Sequence, residues 1–341
     1  MTSPLLHVEQ LSVSFPLRQG VRSVAVDGVD LAVHAKRTLA VVGESGSGKS
    51  VTALAAMGLL PRAARVDSGR ILLSPRSESE QALDLLQQPE AVLQSLRGKD
   101  LAMIFQEPMT SLNPVLSIRE QLEESLILHS KGLERKQRTQ RIESVLQEVG
   151  MEHAIARLDQ YPHQFSGGMR QRIMIAIALI CEPRVLFADE PTTALDVTVQ
   201  AQVLDLIASI RESRGLGVVL ITHDLGVVRK YSHDVCVMYA GRIVERAPTQ
   251  QLFANPVHPY TRALLACVPT LVRDGTAPQR GTLQTVRALL EADASDAQWT
   301  LPTGARAWWP WHDAKDETAR ETAWCEVSAQ HEVLTSAARK R

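Results

Sequence analysis

A chain of 341 residues can hold one large hydrophobic core or two modest ones, and 37 Lys and Arg against 38 Asp and Glu leave it almost neutral. That balance excludes a strongly basic nucleic-acid footprint and an acidic tail, so no nucleic-acid partner is expected. The start of the chain lacks a charged-then-apolar leader, and the densest apolar stretch, 173–181, is far short of the roughly 20 residues that span a bilayer, so a cytoplasmic chain is expected that meets a membrane only through partners.

The opening reads as β-structure. Leu11, Val13 and Phe15 alternate with polar residues, as do Val29, Leu31 and Val33, and Arg18, Gln19 and Gly20 supply a turn between the runs. Residues 38–42 form a continuous apolar run, the pattern of a strand covered on both faces. A glycine-rich turn follows, then a helix over about 49–60, stopped by Pro61. Residues 74–99 are polar and irregular, with a short helix expected near 91–96, before another strand at 101–105. Leu122, Leu126 and Ile127, then Ile142, Val145, Leu146 and Val149, recur at helical spacing, so 107–181 read as a mostly helical insertion between strands. A strand at 185–188, an amphipathic helix carrying Val199, Val203, Leu206, Ile207 and Ile210 and closed by Gly215, and a strand at 218–222 complete an alternation that implies a mainly parallel α/β sheet. Beyond about Pro256, Gly, Pro, Ala and Trp become frequent and periodicity fades. Two parts are therefore expected, 1–256 and a separate, less regular C-terminal extension, 257–341.

Gly43, Glu44, Ser45, Gly46, Ser47, Gly48, Lys49 and Ser50 fill every fixed position of a P-loop, with Val51 next in the helix. The glycines let successive backbone N–H groups turn toward one anion, and the following helix presents its positive end to the same phosphates. Lys49 can reach the outer phosphates, and the Ser50 hydroxyl can ligate Mg²⁺. The plain alternative is a Gly/Ser turn with no ligand, but the strand before and the helix after are what phosphate binding requires. Downstream, residues 186–190 end a buried apolar strand in two carboxylates. Asp189 suits the Mg²⁺ shell and Glu190 suits polarising an attacking water. Alone this could be a solvated strand end; with a P-loop upstream the catalytic reading is favoured.

Phe165-Ser166-Gly167-Gly168-Met169-Arg170-Gln171-Arg172 narrows the class. Ser166 can cap a helix striped by Ile173, Ile177 and Ile180, and the glycines leave that helix end open as a second anion site. An ordinary capped surface helix does not explain two glycines where better helix formers would be more stable. The run resembles the signature motif of ATP-binding cassette (ABC) ATPases, which implies an ABC nucleotide-binding domain: a P-loop core, an antiparallel β subdomain and a helical subdomain, here with a small irregular C-terminal extension. The resemblance implies that Ser166, Gly167, Gly168 and Met169 act in trans on a partner's ATP. Met169 departs from the glutamine common there, which spares the Ser166 hydroxyl and the backbone amides. Gln106 resembles the glutamine that contacts Mg²⁺ and water, Asp196 the residue that crosses to the other subunit, His223 the histidine that meets the γ-phosphate, and Phe15 the aromatic that stacks on adenine.

Four stretches (42–50, 105–114, 189–198 and 257–261) are similar to the ATPase subunits of bacterial oligopeptide, dipeptide and nickel importers, and the signature run looks most like the type written with "D". The resemblance spans about residues 5–270. It implies ATP and Mg²⁺ as ligands, a second homologous ATPase, two transmembrane permeases, an extracytoplasmic solute-binding protein and a place on the cytoplasmic face of the membrane. The extension departs from the family pattern: of the four cysteines (Cys181, Cys236, Cys267 and Cys325) only Cys325 and, at its edge, Cys267 lie there, so no iron–sulfur cluster is expected. Trp308, Trp309, Trp311 and Trp324 suggest either an apolar docking patch or an ordinary tail core. Two rivals remain at this stage. A non-transport ABC ATPase usually shows paired cassettes, zinc cysteines or a coiled coil, and a regulatory module that holds ATP without hydrolysing it would not need Glu190 and His223.

Overall fold

The computed structural model describes residues 3–17, 21–77, 81–106, 111–130, 132–193, 195–267, 300, 301, 303, 305, 307, 308 and 322–336. In chain order the strands are β1 (Leu6–Pro16), β2 (Arg22–Val33), β3 (Thr38–Val42), β4 (Arg65–Leu73), β5 (Leu83–Asp84), β6 (Leu101–Ile104), β7 (Val185–Asp189), β8 (Gly217–Ile221), β9 (Asp234–Tyr239), β10 (Arg242–Pro248), β11 (Thr322–Ser328) and β12 (His331–Ser336). The helices are α1 (Lys49–Ala56), α2 (Glu90–Leu96), α3 (Ile118–His129), α4 (Arg135–Glu148), α5 (Gly167–Leu179), α6 (Val197–Arg214), α7 (Leu225–Tyr231), α8 (Thr249–Ala254) and α9 (Pro259–Ala266). The turn expected at Arg18, Gln19 and Gly20 lies outside the described residues.

Two sheets organise the chain. An antiparallel sheet runs in the order β2-β1-β4-β5, and an eight-stranded sheet runs β11-β12-β10-β9-β3-β8-β7-β6. Strands β9, β3, β8, β7 and β6 of the larger sheet are mutually parallel. Every residue of β3, β6, β7 and β8 is buried, which is why each reads as an unbroken apolar run rather than an alternating one. The two sheets enclose one core with α1, in which Leu6, Val8, Val41 and Phe187 are buried. A second core lies under α3, α4 and α5, around Leu122, Ile142, Val145 and Ile173.

Local chemistry sets several boundaries. Ser117 and Glu120 close a capping box on α3, and Gly215 takes φ 70° at the end of α6. Helix α1 stops earlier than Pro61 suggests, because Gly58 turns the chain into the left-handed region at φ 63°.

The C-terminal region differs from its sequence impression. Strands β11 and β12 form an antiparallel hairpin, and β12 pairs with β10 through Glu245 opposite Val333. The hairpin thus extends the main sheet. Its alternation was hidden because two of the inward positions of β12, His331 and Thr335, are polar. Trp308 is buried in a third core with Tyr260, Val237 and Leu334, and Trp324 packs at its margin, so these two tryptophans serve the interior; Trp309 and Trp311 lie outside the described residues.

Candidate nucleotide site

The strand order β3-β8-β7-β6 sets four motifs side by side, since each follows the C-terminal end of its strand: Gly43 after β3, His223 after β8, Glu190 after β7 and Gln106 after β6. That edge of a parallel sheet is where ligands bind in α/β folds.

The P-loop is shaped by glycines that no other residue replaces freely. Gly43, Gly46 and Gly48 have φ of 153°, 81° and 104°. A Cβ on Gly43 would stand 2.1 Å from the Met238 carbonyl oxygen, so the loop lies directly on the end of β9, whereas Gly46 has open space above it. Lys49 folds back over the loop and donates from Nζ to the carbonyls of Gly43 (2.8 Å) and Glu44 (2.7 Å), with Ser47 Oγ at 3.3 Å. Burial pulls the Lys49 ammonium below its ordinary value, against the opposing pull of Glu190, Asp189 and Glu44. A buried ammonium resting on carbonyls is a charge that a phosphate would satisfy better.

Opposite the lysine, Glu190 receives three side chains. His223 Nδ1 donates to Oε1 at 3.0 Å, while Gln106 Nε2 (3.0 Å) and Thr193 Oγ1 (2.9 Å) donate to Oε2. Burial works to raise this carboxyl, but the bonds from His223 and Thr193 and the charges of His223 and Lys49 outweigh it and hold it low. Glu190 also sits at φ 45°, a conformation uncommon for a non-glycine residue and of a kind that concentrates at functional sites. Beside it, burial raises the Asp189 carboxyl, while a hydrogen bond from Ser50 opposes the rise. Asp189 and Ser50 therefore form an adjacent pair of oxygen donors, the hard ligands that suit Mg²⁺. Ser45, Gly46, Lys49, Ser50, Gln106 and Glu190 line one cavity of about 190 Å³. A larger hollow of about 340 Å³ lies beside Arg37 and Asp234. Those two charges pair with each other at 2.9 Å.

The other residues singled out from the sequence stand apart from this cavity. Ser166 caps α5, accepting the Met169 amide at 3.4 Å, and is exposed. A Cβ on Gly168 would come within 2.9 Å of Val199 on α6, so this glycine is needed for close packing; one on Gly167 would meet nothing. Met169 packs on the helical core. Asp196 caps α6 through the Val199 amide at 2.9 Å, a local task that needs no second subunit. Phe15 is half-buried on β1 against the inter-sheet core and is not among the residues lining the cavity. Two contributors had not been singled out. Thr193 could have been found by its place three residues after Glu190, whereas Tyr260, whose hydroxyl meets the Glu44 amide at 3.1 Å, had no local signal.

Comparison with known proteins identifies the family. Residues 26–193 match the ABC transporter family. A Brucella ovis protein named as a peptide import ATP-binding protein is 46% identical over 303 residues, covering 88% of this chain and 87% of the relative. The chain belongs to the ABC transporter family and is an ATP-hydrolysing cassette. Within that family, residues 244–292 match the C-terminal region of oligopeptide/dipeptide transporters. The glutathione import ATP-binding protein GsiA of Salmonella paratyphi A is 48% identical over 279 residues, which are 81% of this chain but 44% of GsiA. Among solved structures, the dimeric cassette MJ0796 in a post-hydrolysis state with ADP and Pi shares the fold at TM-score 0.62 and 24% identity, over 72% of this chain and 98% of that one. The cbiO1 subunit of a Clostridium perfringens cbiONQ transporter superposes at TM-score 0.61 and 26% identity, over 74% and 92%. No described helix is long and apolar enough to cross a membrane.

Proposed function

We propose that this chain is the ATP-driven motor subunit of an importer for peptides or a related small solute. The observation that carries its catalytic half is the Glu190 carboxylate, held by His223, Gln106 and Thr193 across the cavity from Lys49. The import half is supported by the match at 244–292 and by relatives named for peptide and glutathione import. Glutathione is itself a tripeptide, so the relatives' names point to one class of cargo.

In this reading the amides from Gly43 to Val51, with Ser45 and Lys49, cradle the phosphates of ATP, and Phe15 stacks on the adenine. Ser50, Asp189 and Gln106 hold Mg²⁺, which supplies charge neutralisation at the phosphate oxygens when bound. Glu190 takes a proton from the attacking water, and His223 meets the terminal phosphate. Ser166, Gly167, Gly168 and Met169 complete the site of a second, homologous cassette, and Asp196 crosses to it. The separation of this open helix end from the chain's own cavity is what supports action in trans. The pair docks from the cytoplasmic face on two transmembrane permeases served by an extracytoplasmic binding protein. Residues 1–256, with the helical insertion 107–181, form the motor; 257–341 form an extension without an iron–sulfur cluster.

The test is Glu190→Gln in a reconstituted complex whose other active site is disabled. ATP affinity should hold while turnover falls about 10²–10⁴-fold, the usual cost of losing a general base. Near-normal turnover would remove Glu190 from the mechanism.

A further inference from the structure

We propose that Tyr260 is a positioning residue of the nucleotide site, tying the C-terminal region to the P-loop so that its hydroxyl helps set ATP affinity. The inference rests on the reading of the P-loop as the ATP site and adds a residue that lies beyond every nucleotide motif.

The geometry converges on one peptide group. The Tyr260 hydroxyl accepts the Glu44 N–H at 3.1 Å, and the carbonyl of that same peptide, Gly43 O, accepts Lys49 Nζ at 2.8 Å. A trans peptide points its N–H and C=O in opposite directions, and the described chain contains no cis bond. The phenol and the ammonium therefore hold the 43–44 peptide plane from opposite sides. The next carbonyl, Glu44 O, also receives Lys49 at 2.7 Å. Any tilt of the plane displaces the ammonium that faces the phosphates.

Tyr260 is itself fixed with unusual thoroughness. It is 0% exposed, and its ring lies 4.5 Å from that of Tyr239 at the end of β9, beside the Met238 carbonyl on which Gly43 rests. Gly241, in the turn after β9, donates to Ser47 O at 3.0 Å, so the P-loop is supported from below at two points. At the start of α9, His258 Nδ1 accepts the Tyr260 amide at 3.1 Å, while its Nε2 donates to Trp308 O at 2.9 Å. Glu245 receives the amides of Val257 and His258, each at 2.9 Å. The chain of bonds runs unbroken from Trp308 and β10 to Lys49. Burial alone would explain an apolar ring at 260; it does not explain a hydroxyl aimed at a P-loop amide.

The test compares full-length wild type, Tyr260→Phe and Leu252→Val for binding of a fluorescent ATP analogue, with melting recorded in parallel. Phenylalanine fills the same space and leaves the Glu44 amide without this acceptor. One neutral hydrogen bond corresponds to a loss of about 2–10-fold in affinity. In the reconstituted complex KM for ATP should rise by the same factor with kcat within about twofold, because Glu190, Gln106 and His223 are untouched. Leu252→Val trims the same core and should lower the melting temperature while keeping wild-type affinity. Wild-type affinity in Tyr260→Phe would overturn the inference, as would an equal shift in Leu252→Val, which would reduce the effect to general stability. If the wild-type chain binds no nucleotide, the P-loop reading falls and the Tyr260 role with it; normal wild-type binding with an unaffected phenylalanine variant removes the Tyr260 role alone.

Discussion

His223 and Glu190 meet at 3.0 Å with side chains 63% and 18% exposed, whereas His331 and Glu245 meet at 2.6 Å with side chains 2% and 0% exposed. The residue types are the same and the surroundings are opposite. The Glu190 carboxylate accepts from side chains alone, on segments after three different strands, at a face open to solvent and to the P-loop cavity. Those partners, Gln106, Thr193 and His223, are exposed side chains. Glu245 is held by two backbone amides and a buried histidine, in the middle of the third core. Its bonds fasten β10, β12 and the segment before α9 together. On the proposed reading, the His–Glu pair that serves chemistry is the one open to water and to the cavity; sealed from water, the same pair is a joint.

The sharpest way to break this contrast is to make one substitution in both places. Glu190→Gln should abolish most turnover, as set out above, and leave unfolding free energy nearly unchanged. Glu245→Gln should do the reverse. It replaces a carboxylate that accepts three N–H groups with an amide that brings two donors of its own, and removing one member of a buried pair costs about 3–5 kcal/mol. Denaturant titration gives the stability, and ATPase activity per folded complex gives the function. Equal effects of the two variants on both readouts would erase the distinction. The same logic bears on the expectation of a separate extension, because truncation before Trp308 would remove His331 from Glu245, and Trp308, Val333 and Leu334 from the core around Tyr260.

A smaller effect should appear on acidification. Burial drops the His258 imidazole to about 4, with Glu245 pulling upward and Arg262 downward. Between that value and the ordinary one near 6.5, the unfolded chain binds a proton that the folded chain refuses. Stability from this group is therefore intact at pH 7 and lost as the pH falls, by about 2 kcal/mol between pH 7 and 5. Burial also lowers His233, which adds in the same direction, and Glu245, held low by its bonds from His331 and the amides despite burial, loses its share only at still lower pH. His258→Asn keeps a capping oxygen for the Tyr260 amide but cannot take the proton. Its stability should change less between pH 7 and 5 than that of wild type. An identical pH slope in both proteins would show that His258 is not the acid-sensitive group at this joint.

How much of either pair could be read from sequence follows from how local its determinants are. The P-loop, the acidic end of β7 and the Ser166 cap are written in consecutive residues, and periodicity exposed α3, α4 and α6. The convergence of Gln106, Glu190 and His223 depends on the strand order β3-β8-β7-β6, which is not the order of the chain and so needed the resemblance to a known family to be foreseen. The Glu245 joint was invisible. His331 lies 86 residues from it, and each is a polar residue in a strand where an apolar one would have announced burial. Tyr260 was quoted in the run 257–261, but its bond to Glu44 crosses 216 residues.

The smallest expected effect concerns the cysteines, where the extension should behave as plain protein. An iron–sulfur cluster usually takes four thiolates, and the whole chain has four cysteines. Two of them are committed elsewhere. Cys236 is buried within β9 under the inter-sheet core, and burial pushes its thiol up to about 12. Cys181 follows α5, where burial raises it and Sγ lies 3.5 Å from the Ser125 carbonyl. Thiols in such places behave as small hydrophobes rather than as ligands. Cys267, which ends α9, and Cys325, on β11 beside Thr303 Oγ1 at 3.4 Å, are too few for a cluster within one chain. Protein purified without oxygen should therefore show no visible charge-transfer absorption and no stoichiometric iron, and Cys325→Ser should match wild type in iron content, melting temperature and ATP affinity. Stoichiometric iron that disappears in Cys325→Ser would mean that the extension shares a cluster with another subunit. The contrast drawn above would then need a third kind of site, built between chains.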